Sequence, residues 1–180
     1  MKRIYLSLLM LITFITSLAQ FSLTPTGFVA DTEKDFYVEN INGTQQELFN
    51  KVKTVITEMM VSADDATSYN EYDINSLRVH IPKITIFSWA GIKSYWDCTA
   101  SFKILFKDNR IRFNAPSFDN DFQQWLNPGK RNAWTGENHL FNIKNNKPYY
   151  KESVIEIQDK INEIINFIVE KTKNNENEEW

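Results

Sequence analysis

The residues of this chain that could act as catalysts lie in one polar segment, residues 116–152. His139 follows Glu137 by two positions, and Asp121 precedes both in the same segment. A histidine near carboxylates can serve as the general base of a hydrolase. The sequence holds no G-x-S-x-G turn for a serine nucleophile and no H-E-x-x-H zinc pair. We therefore predict that the chain is not an enzyme, and a hydrolase using Asp121, Glu137 and His139 is the alternative.

The same segment is rich in aromatic residues, which favours binding over catalysis. A connection of this length is often functional in a compact domain. Aromatic side chains beside Asn and Asp can hold a sugar or a peptide. The candidate binding residues are Trp125, Trp134 and His139, and the predicted partner is a peptide or a glycan. In the alternative interpretation, both tryptophan rings fold back as a lid on the sheet.

No pattern in the sequence indicates a metal or a cofactor. His80 and His139 lie too far apart in sequence to form a recognisable zinc site. The acidic stretch 62–75 lacks the glycine and the closing glutamate of an EF-hand, so we interpret it as a solvated loop. The single cysteine, Cys98, lies on the inward side of a predicted strand, where a thiol is usually buried and inert.

Two amphipathic helices are predicted. Thr44 with Glu47 forms a capping-box pattern, and apolar residues then recur every three or four positions, so we expect a helix over about 45–61. Ser153 with Glu156 repeats the capping pattern ahead of a stripe of isoleucines. We expect the last helix to start at Ser153 and the polar residues 171–180 to form a disordered tail.

Alternating residues predict the strands. In the clearest strand, Tyr95–Lys107, Trp96, Cys98 and the even-numbered residues to Phe106 face one side. An Asp108-Asn109 turn leads to a return strand, where Arg110 or Arg112 could pair with Asp97 on the outer face, a contact that would contribute little to stability. Further strand patterns cover Phe36–Ile41, Leu77–Ile81 and Ile84–Phe87, and Pro82 between the last two predicts an edge, a bulge or a bend. Amphipathic helices need an apolar partner surface, so this pattern predicts an α+β fold with two helices packed on one face of an antiparallel sheet.

Residues 1–19 have the features of a secretory signal peptide. Lys2 and Arg3 precede an apolar run, and Ser17-Leu18-Ala19 supplies small residues before Gln20. The run is short for a spanning helix, so we expect no transmembrane span after cleavage. The mature protein would be periplasmic or secreted, with residues 20–170 forming a single domain.

Composition narrows the class of partner. Loss of Lys2 and Arg3 with the leader changes the formal net charge from −3 to −5. Because nucleic-acid-binding proteins normally carry a basic face, this acidic balance argues against nucleic acid. A hydrophobic fraction of 42% is enough for a packed core.

Four pieces of the sequence resemble a known family. They are the leader ending in LAQ, FYVENINGTQQELFNKVKTVIT, SYWDCTASFKILFKDNRIRFNAPSF and the C-terminal amphipathic helix. Over about residues 28–118 and 153–170, the chain resembles exported domains of unknown function that are common in Bacteroides-like organisms and have a TBP-like fold. The resemblance implies a β-α-β-β-β-β-α order with helices on one face of a curved antiparallel sheet. It implies no activity and no catalytic residues, and the long segment 116–152 departs from the family's compact form.

The sequence thus predicts an exported, non-catalytic binding or accessory module of the cell envelope. Besides the hydrolase, a self-associating structural protein is an alternative, because an open sheet edge can pair with a second copy.

Overall fold

The computed structural model of this protein describes residues 20–30, 34–60, 67–89, 92–119, 122–123, 126, 140–142 and 145–174. It confirms the α+β class. In chain order the elements are β1 (Phe21–Thr24), β2 (Gly27–Ala30), β3 (Phe36–Asn40), α1 (Gln45–Met59), β4 (Thr67–Asn70), β5 (Asp73–Trp89), β6 (Ile92–Lys107), β7 (Arg110–Asn114), β8 (Ser117–Phe118) and α2 (Lys151–Asn174).

Antiparallel pairing joins six strands into one sheet. The strand order is β3-β7-β6-β5-β4, and β8 pairs with β6 beyond the end of β7. From β3 onward the element order is the predicted one with β8 added. The two strands predicted over Leu77–Ile81 and Ile84–Phe87 form one continuous strand, β5. Residues 67–70 of the predicted loop 62–75 form β4, which pairs with the start of β5.

Pro82 marks a bulge in β5, one of the three outcomes that its position predicted. The pairing of β5 with β6 shifts register between Ile81 and Ile84, and Lys83 has φ +58°. Proline has no N–H to donate to a ladder, so the strand accommodates it where pairing is interrupted. The Lys83 N–H instead donates to Asp97 Oδ1 at 2.8 Å.

The capping box of α1 is confirmed. The Glu47 N–H donates to the Thr44 hydroxyl, and Glu47 Oε2 accepts the Thr44 N–H at 2.8 Å. The Gln45 N–H donates to Asp108 Oδ1 at 2.8 Å. The bond between Gln45 and Asp108 joins the start of α1 to the β6–β7 hairpin. The hairpin turns at Asp108-Asn109 as predicted.

The predicted start of α2 is wrong. The helix begins at Lys151, and Ser153 lies inside its first turn with its hydroxyl donating to the Thr85 carbonyl at 2.7 Å. Ser153 therefore anchors the helix to β5 instead of capping it. The helix continues to Asn174, and Thr172 is fully buried, so part of the predicted tail is helical. Residues 175–180 lie outside the described residues.

The core lies between the sheet and the two helices. Along β6 the predicted inward residues Cys98, Ala100, Phe102, Ile104 and Phe106 are all buried. They share this layer with the apolar stripes of α1 and α2.

Trp96 was assigned to the same inward face but is 37% exposed. Among the described strands, β8 pairs with β6 no further than Ala100, so no described strand flanks Trp96 on that side of β6. Its ring instead meets the edge of the Phe122 ring, with centroids 6.2 Å apart.

The N-terminal hairpin β1–β2 was not predicted. It buries Phe21, Leu23, Phe28 and Ala30. Polar side chains of α2 bond its backbone, since Gln158 Oε1 accepts the Leu23 N–H at 3.2 Å and Asn162 bonds Phe21. The hairpin therefore closes one side of the core.

The described part of segment 116–152 packs onto the core. Its buried residues are Pro116, Phe118, Phe122, Leu126, Leu140 and Phe141. The lid interpretation concerns Trp125 and Trp134, which lie outside the described residues, so it stays a prediction. Within the part of the chain that is described, no helix is long and apolar enough to cross a membrane.

Candidate functional site

The site residues proposed from the sequence lie outside the described residues. This holds for Trp125, Trp134 and His139, and for Asp121 and Glu137 of the hydrolase alternative. The described residues contain no group of three or more His, Cys, Asp or Glu side chains that could hold a metal ion. The side of the sheet away from the helices offers a different candidate.

We call this side the outer face. Both helices pack against the opposite side, where α1 contacts β6 and β7 and α2 contacts β5. Because side chains alternate along a strand, the neighbours of buried core residues point outward. The outer-face residues of β5, β6 and β7 include Asp73, Ser76, Arg78, His80, Asp97, Thr99, Ser101, Lys103, Leu105, Lys107, Arg110, Arg112 and Asn114.

Five of these residues are cationic, and strand register brings them into one band. Lys107 lies opposite Arg110, and Leu105 lies opposite Arg112. Lys103 comes two residues before Leu105 on β6. Further along, Arg78 of β5 lies opposite Ser101. We call Arg78, Lys103, Lys107, Arg110 and Arg112 the cationic track.

The track runs along the middle of the sheet. Lys107 and Ser101 are six residues apart on β6, which corresponds to about 20 Å at roughly 3.3 Å per residue. Cations recur about every 7 Å, the spacing of alternate residues in a strand. Arg78, Lys107 and Arg110 are exposed, while Lys103 and Arg112 are half-buried among their neighbours.

The Phe36 ring of β3 stacks against the Arg112 guanidinium of the cationic track. The Arg112 Cζ lies 3.9 Å from the centroid of the Phe36 ring, and Lys34 Nζ lies 5.4 Å from it. Arg112 Nε also donates to Asn114 Oδ1 at 2.9 Å. Stacking and hydrogen bonding hold this guanidinium in place, while such contacts leave its charge intact.

Two carboxylates mark the far end of the outer face. Asp97 Oδ2 lies 3.6 Å from His80 Nε2, with both side chains more than half exposed. An Asp119 oxygen accepts the Thr99 N–H at 3.3 Å. The candidate pairing of Asp97 with Arg110 or Arg112 is wrong, because Asp97 lies beside Lys83 and those arginines lie near the other end of β6.

On the helical side, carboxylates line a groove beside β5. An open groove of about 640 Å³ between β5 and α2 is lined by Ile81, Pro82, Glu156, Asp159, Lys160 and Glu163. Its single cation, Lys160, bonds Glu163 at 3.1 Å. Three carboxylates and one paired cation thus line this groove.

Cys98 lies on the inner side and is 1% exposed. Burial raises the pKa of its thiol to about 12, with Asp119 and Asp97 adding to the effect. A thiol with that pKa is protonated at neutral pH and is a poor nucleophile, in agreement with the prediction of an inert core cysteine.

Sequence reasoning missed the cationic track because it weighed net charge instead of its distribution. The signal was present: Arg110 and Arg112 alternate with buried residues on one strand, as Lys103 and Lys107 do on its neighbour. The net charge of −3 conceals this face, since the balancing carboxylates lie elsewhere.

Comparison with known proteins adds one similarity. A crystal structure of a DUF4468 family protein from Bacteroides ovatus matches with a TM-score of 0.44 and 9% sequence identity, over 76% of this chain and 84% of that chain. No family model matches the sequence, and no curated protein matches it. A likeness at this level does not assign the chain to a family.

Proposed function

We propose that this protein is an exported, non-catalytic binding module of the cell envelope that holds its partner on the outer face of the sheet. The observation that carries this proposal is the layering of the fold. Both helices and the N-terminal hairpin pack on the inner side of the sheet, while the outer face presents a broad polar surface on a rigid antiparallel sheet. Rigid elements hold binding groups more accurately than loops do.

Export is supported by the pattern of residues 1–19 and by the contacts of the two residues that follow them. Gln20 and Phe21 are buried and bonded to α2. A cut after Ala19 would retain every one of these contacts. A binding role is supported by the character of the outer face, which presents cationic and hydroxyl side chains that are exposed or half-buried.

Self-association is a second candidate, favoured by a specific observation. Near the β5–β6 turn, Ile92 is 62% exposed and Tyr95 is 55% exposed. Among described strands, β4 pairs with β5 only as far as Leu77, so the rest of that edge can accept a strand from a second copy. Light scattering across a hundredfold range of protein concentration tests this; a constant monomer mass would reject it.

A neutral steric block tests the principal proposal without assuming any ligand chemistry. Ser101 lies at the centre of the outer face, and Ser101→Trp fills that space without changing charge. We expect the wild-type mature chain to co-sediment with cell-envelope fragments from producing cells, and Ser101→Trp to lose most of this binding. Thr54→Trp on the exposed side of α1 is the matched control. No wild-type binding, or equal binding by wild type and Ser101→Trp, would overturn the proposal.

A further inference from the structure

We propose that the outer face binds a linear acidic polysaccharide, which lies along the cationic track. This inference rests on the proposed function and names the partner class for the same surface. Its carrying observation is the linear arrangement of Arg78, Lys103, Arg112 and the Lys107–Arg110 pair along β6 and its two neighbours.

Charge is the first argument. The track places five cations within about 20 Å on the outer face. One carboxylate, Asp73 of β5, lies beside them and accepts the Phe106 N–H at 3.2 Å, while Asp97 and Asp119 lie beyond the end of the track. Like charges held this close raise the energy of the free protein, and an anionic partner relieves that repulsion. A compact anion would meet only one or two of these cations. An extended polyanion meets all of them.

The groups between the cations are the second argument. Ser101, Thr99 and Asn114 lie between or beside the track residues, and Ser117 of β8 is paired with Ser101. Hydroxyl and amide groups both donate and accept hydrogen bonds, so they match the hydroxyls of a sugar ring. A polyphosphate or polycarboxylate without hydroxyl groups would contact only the cationic side chains of the track.

The third argument separates a polysaccharide from single-stranded nucleic acid. Proteins that bind single strands stack the bases on aromatic side chains. Among the described residues, the aromatic side chain that lies beside the track is that of Phe36. The Arg112 guanidinium already lies over its ring. Tyr95 lies four residues beyond Thr99, past the Asp97 carboxylate. The described part of the track therefore offers charge and hydroxyls without a free stacking platform.

The test compares polymers that share charge but differ in chemistry. The probes are polygalacturonate, polyglutamate, polyuridylate and neutral dextran, titrated against the mature chain by calorimetry at low salt. We expect polygalacturonate to bind most tightly and dextran not to bind. Raising the salt concentration to 0.5 M should weaken polygalacturonate binding about tenfold or more, because mobile ions screen exposed charges.

Charge reversal supplies the second arm. Arg78→Glu with Lys103→Glu should weaken polygalacturonate binding about tenfold or more. Lys107→Glu with Arg110→Glu repeats the test at the hairpin end, in case the first pair does not fold. Lys151→Glu with Lys171→Glu on α2 makes the same change in net charge away from the track, and it should bind as wild type does.

Each outcome decides between the two proposals. Equal or tighter binding of polyglutamate or polyuridylate would overturn the polysaccharide assignment. If Ser101→Trp abolishes envelope binding while neither salt nor charge reversal alters it, the acidic partner is wrong and the outer-face proposal stands. If the steric block and the charge reversals all leave binding unchanged, both proposals fail.

Discussion

The Asn162 side chain bonds both backbone groups of Phe21. Its Oδ1 accepts the Phe21 N–H at 3.0 Å, and its Nδ2 donates to the Phe21 carbonyl at 2.9 Å. Both residues are buried, Phe21 fully. A helix side chain thus takes the place of a neighbouring strand at the free edge of β1, and it satisfies groups that would otherwise be unpaired in the core.

Asn162→Leu tests this relationship. The substitution keeps a side chain of similar size but leaves the Phe21 N–H and carbonyl buried without partners. We expect the free energy of unfolding to fall by about 2–4 kcal/mol, since each unsatisfied group costs roughly 1–3 kcal/mol. Urea denaturation of the mature chain measures the change. Glu163→Gln, the next residue and exposed, is the control. Equal stability of Asn162→Leu and the control would show that the two hydrogen bonds do not hold the hairpin.

Much of the fold followed from local patterns. Apolar residues recur with a period of 3.6 in α1 and of two in β6, because each element buries one side only. These periods are visible in the sequence alone. Pro82 was interpretable because its missing N–H constrains pairing directly. These features depend on residues near one another in sequence.

Other features depend on contacts between residues far apart. Ser153 has the type and spacing of a cap, yet its hydroxyl meets the Thr85 carbonyl, 68 residues away. The hairpin β1–β2 is bonded to α2 through Asn162, which lies 141 residues from Phe21. The cationic track likewise requires the register between three strands, which sequence alternation does not give.

Thr44→Ala should destabilise the protein by about 1 kcal/mol. The Thr44 hydroxyl accepts the Glu47 N–H, one of the donors that the first turn of α1 leaves unpaired. Replacing the hydroxyl with a methyl removes that partner, although water can reach this exposed site. Thermal unfolding followed by circular dichroism at 222 nm measures the loss. Thr54→Ala, in the middle of the same helix, is the control, and an equal loss in both variants would contradict a capping role.

Glu47 makes part of the stability depend on pH. Its bond to the Thr44 N–H lowers the pKa of this carboxylate from the ordinary value of 4.5. A lowered pKa in the folded state means that the carboxylate stabilises the protein above pH 4.5 and loses this effect as pH falls through the folded value. The stability difference between wild type and Glu47→Gln should therefore be largest at neutral pH and shrink in acid.

Urea midpoints measured between pH 3 and pH 7 would show this trend. Thr44→Ala keeps the backbone N–H that bonds Glu47, so it should retain most of the pH dependence that Glu47→Gln loses. A wild-type-to-Glu47→Gln difference that stays constant across this range would contradict the capping interaction.

Cys98 should resist thiol reagents in the folded protein. It is buried, and its thiol pKa of about 12 leaves almost no thiolate at pH 8. Mixing the native protein with an aromatic disulfide reagent should release little chromophore over minutes, whereas one equivalent should appear in 6 M guanidinium chloride. Ser94→Cys on the exposed part of β6, in a Cys98→Ala background, is the positive control. Labelling of native Cys98 at the rate of this control would show that the strand opens readily.

Processing in the producing cell should yield a protein that begins at Gln20. The Ser17-Leu18-Ala19 sequence supplies the small residues that a signal peptidase needs, and Gln20 and Phe21, which follow it, are buried. A cut inside β1 would instead remove Phe21 or Leu23 from the core, at a cost of about 1.5–3 kcal/mol for each side chain. Mass spectrometry of the N-terminal peptide identifies the site. Ala19→Arg should accumulate uncut, while Ser22→Thr, just beyond the site, should be processed normally. An intact Met1 in the exported wild-type protein would contradict cleavage, and recovery of the chain only from the cytoplasm would contradict export.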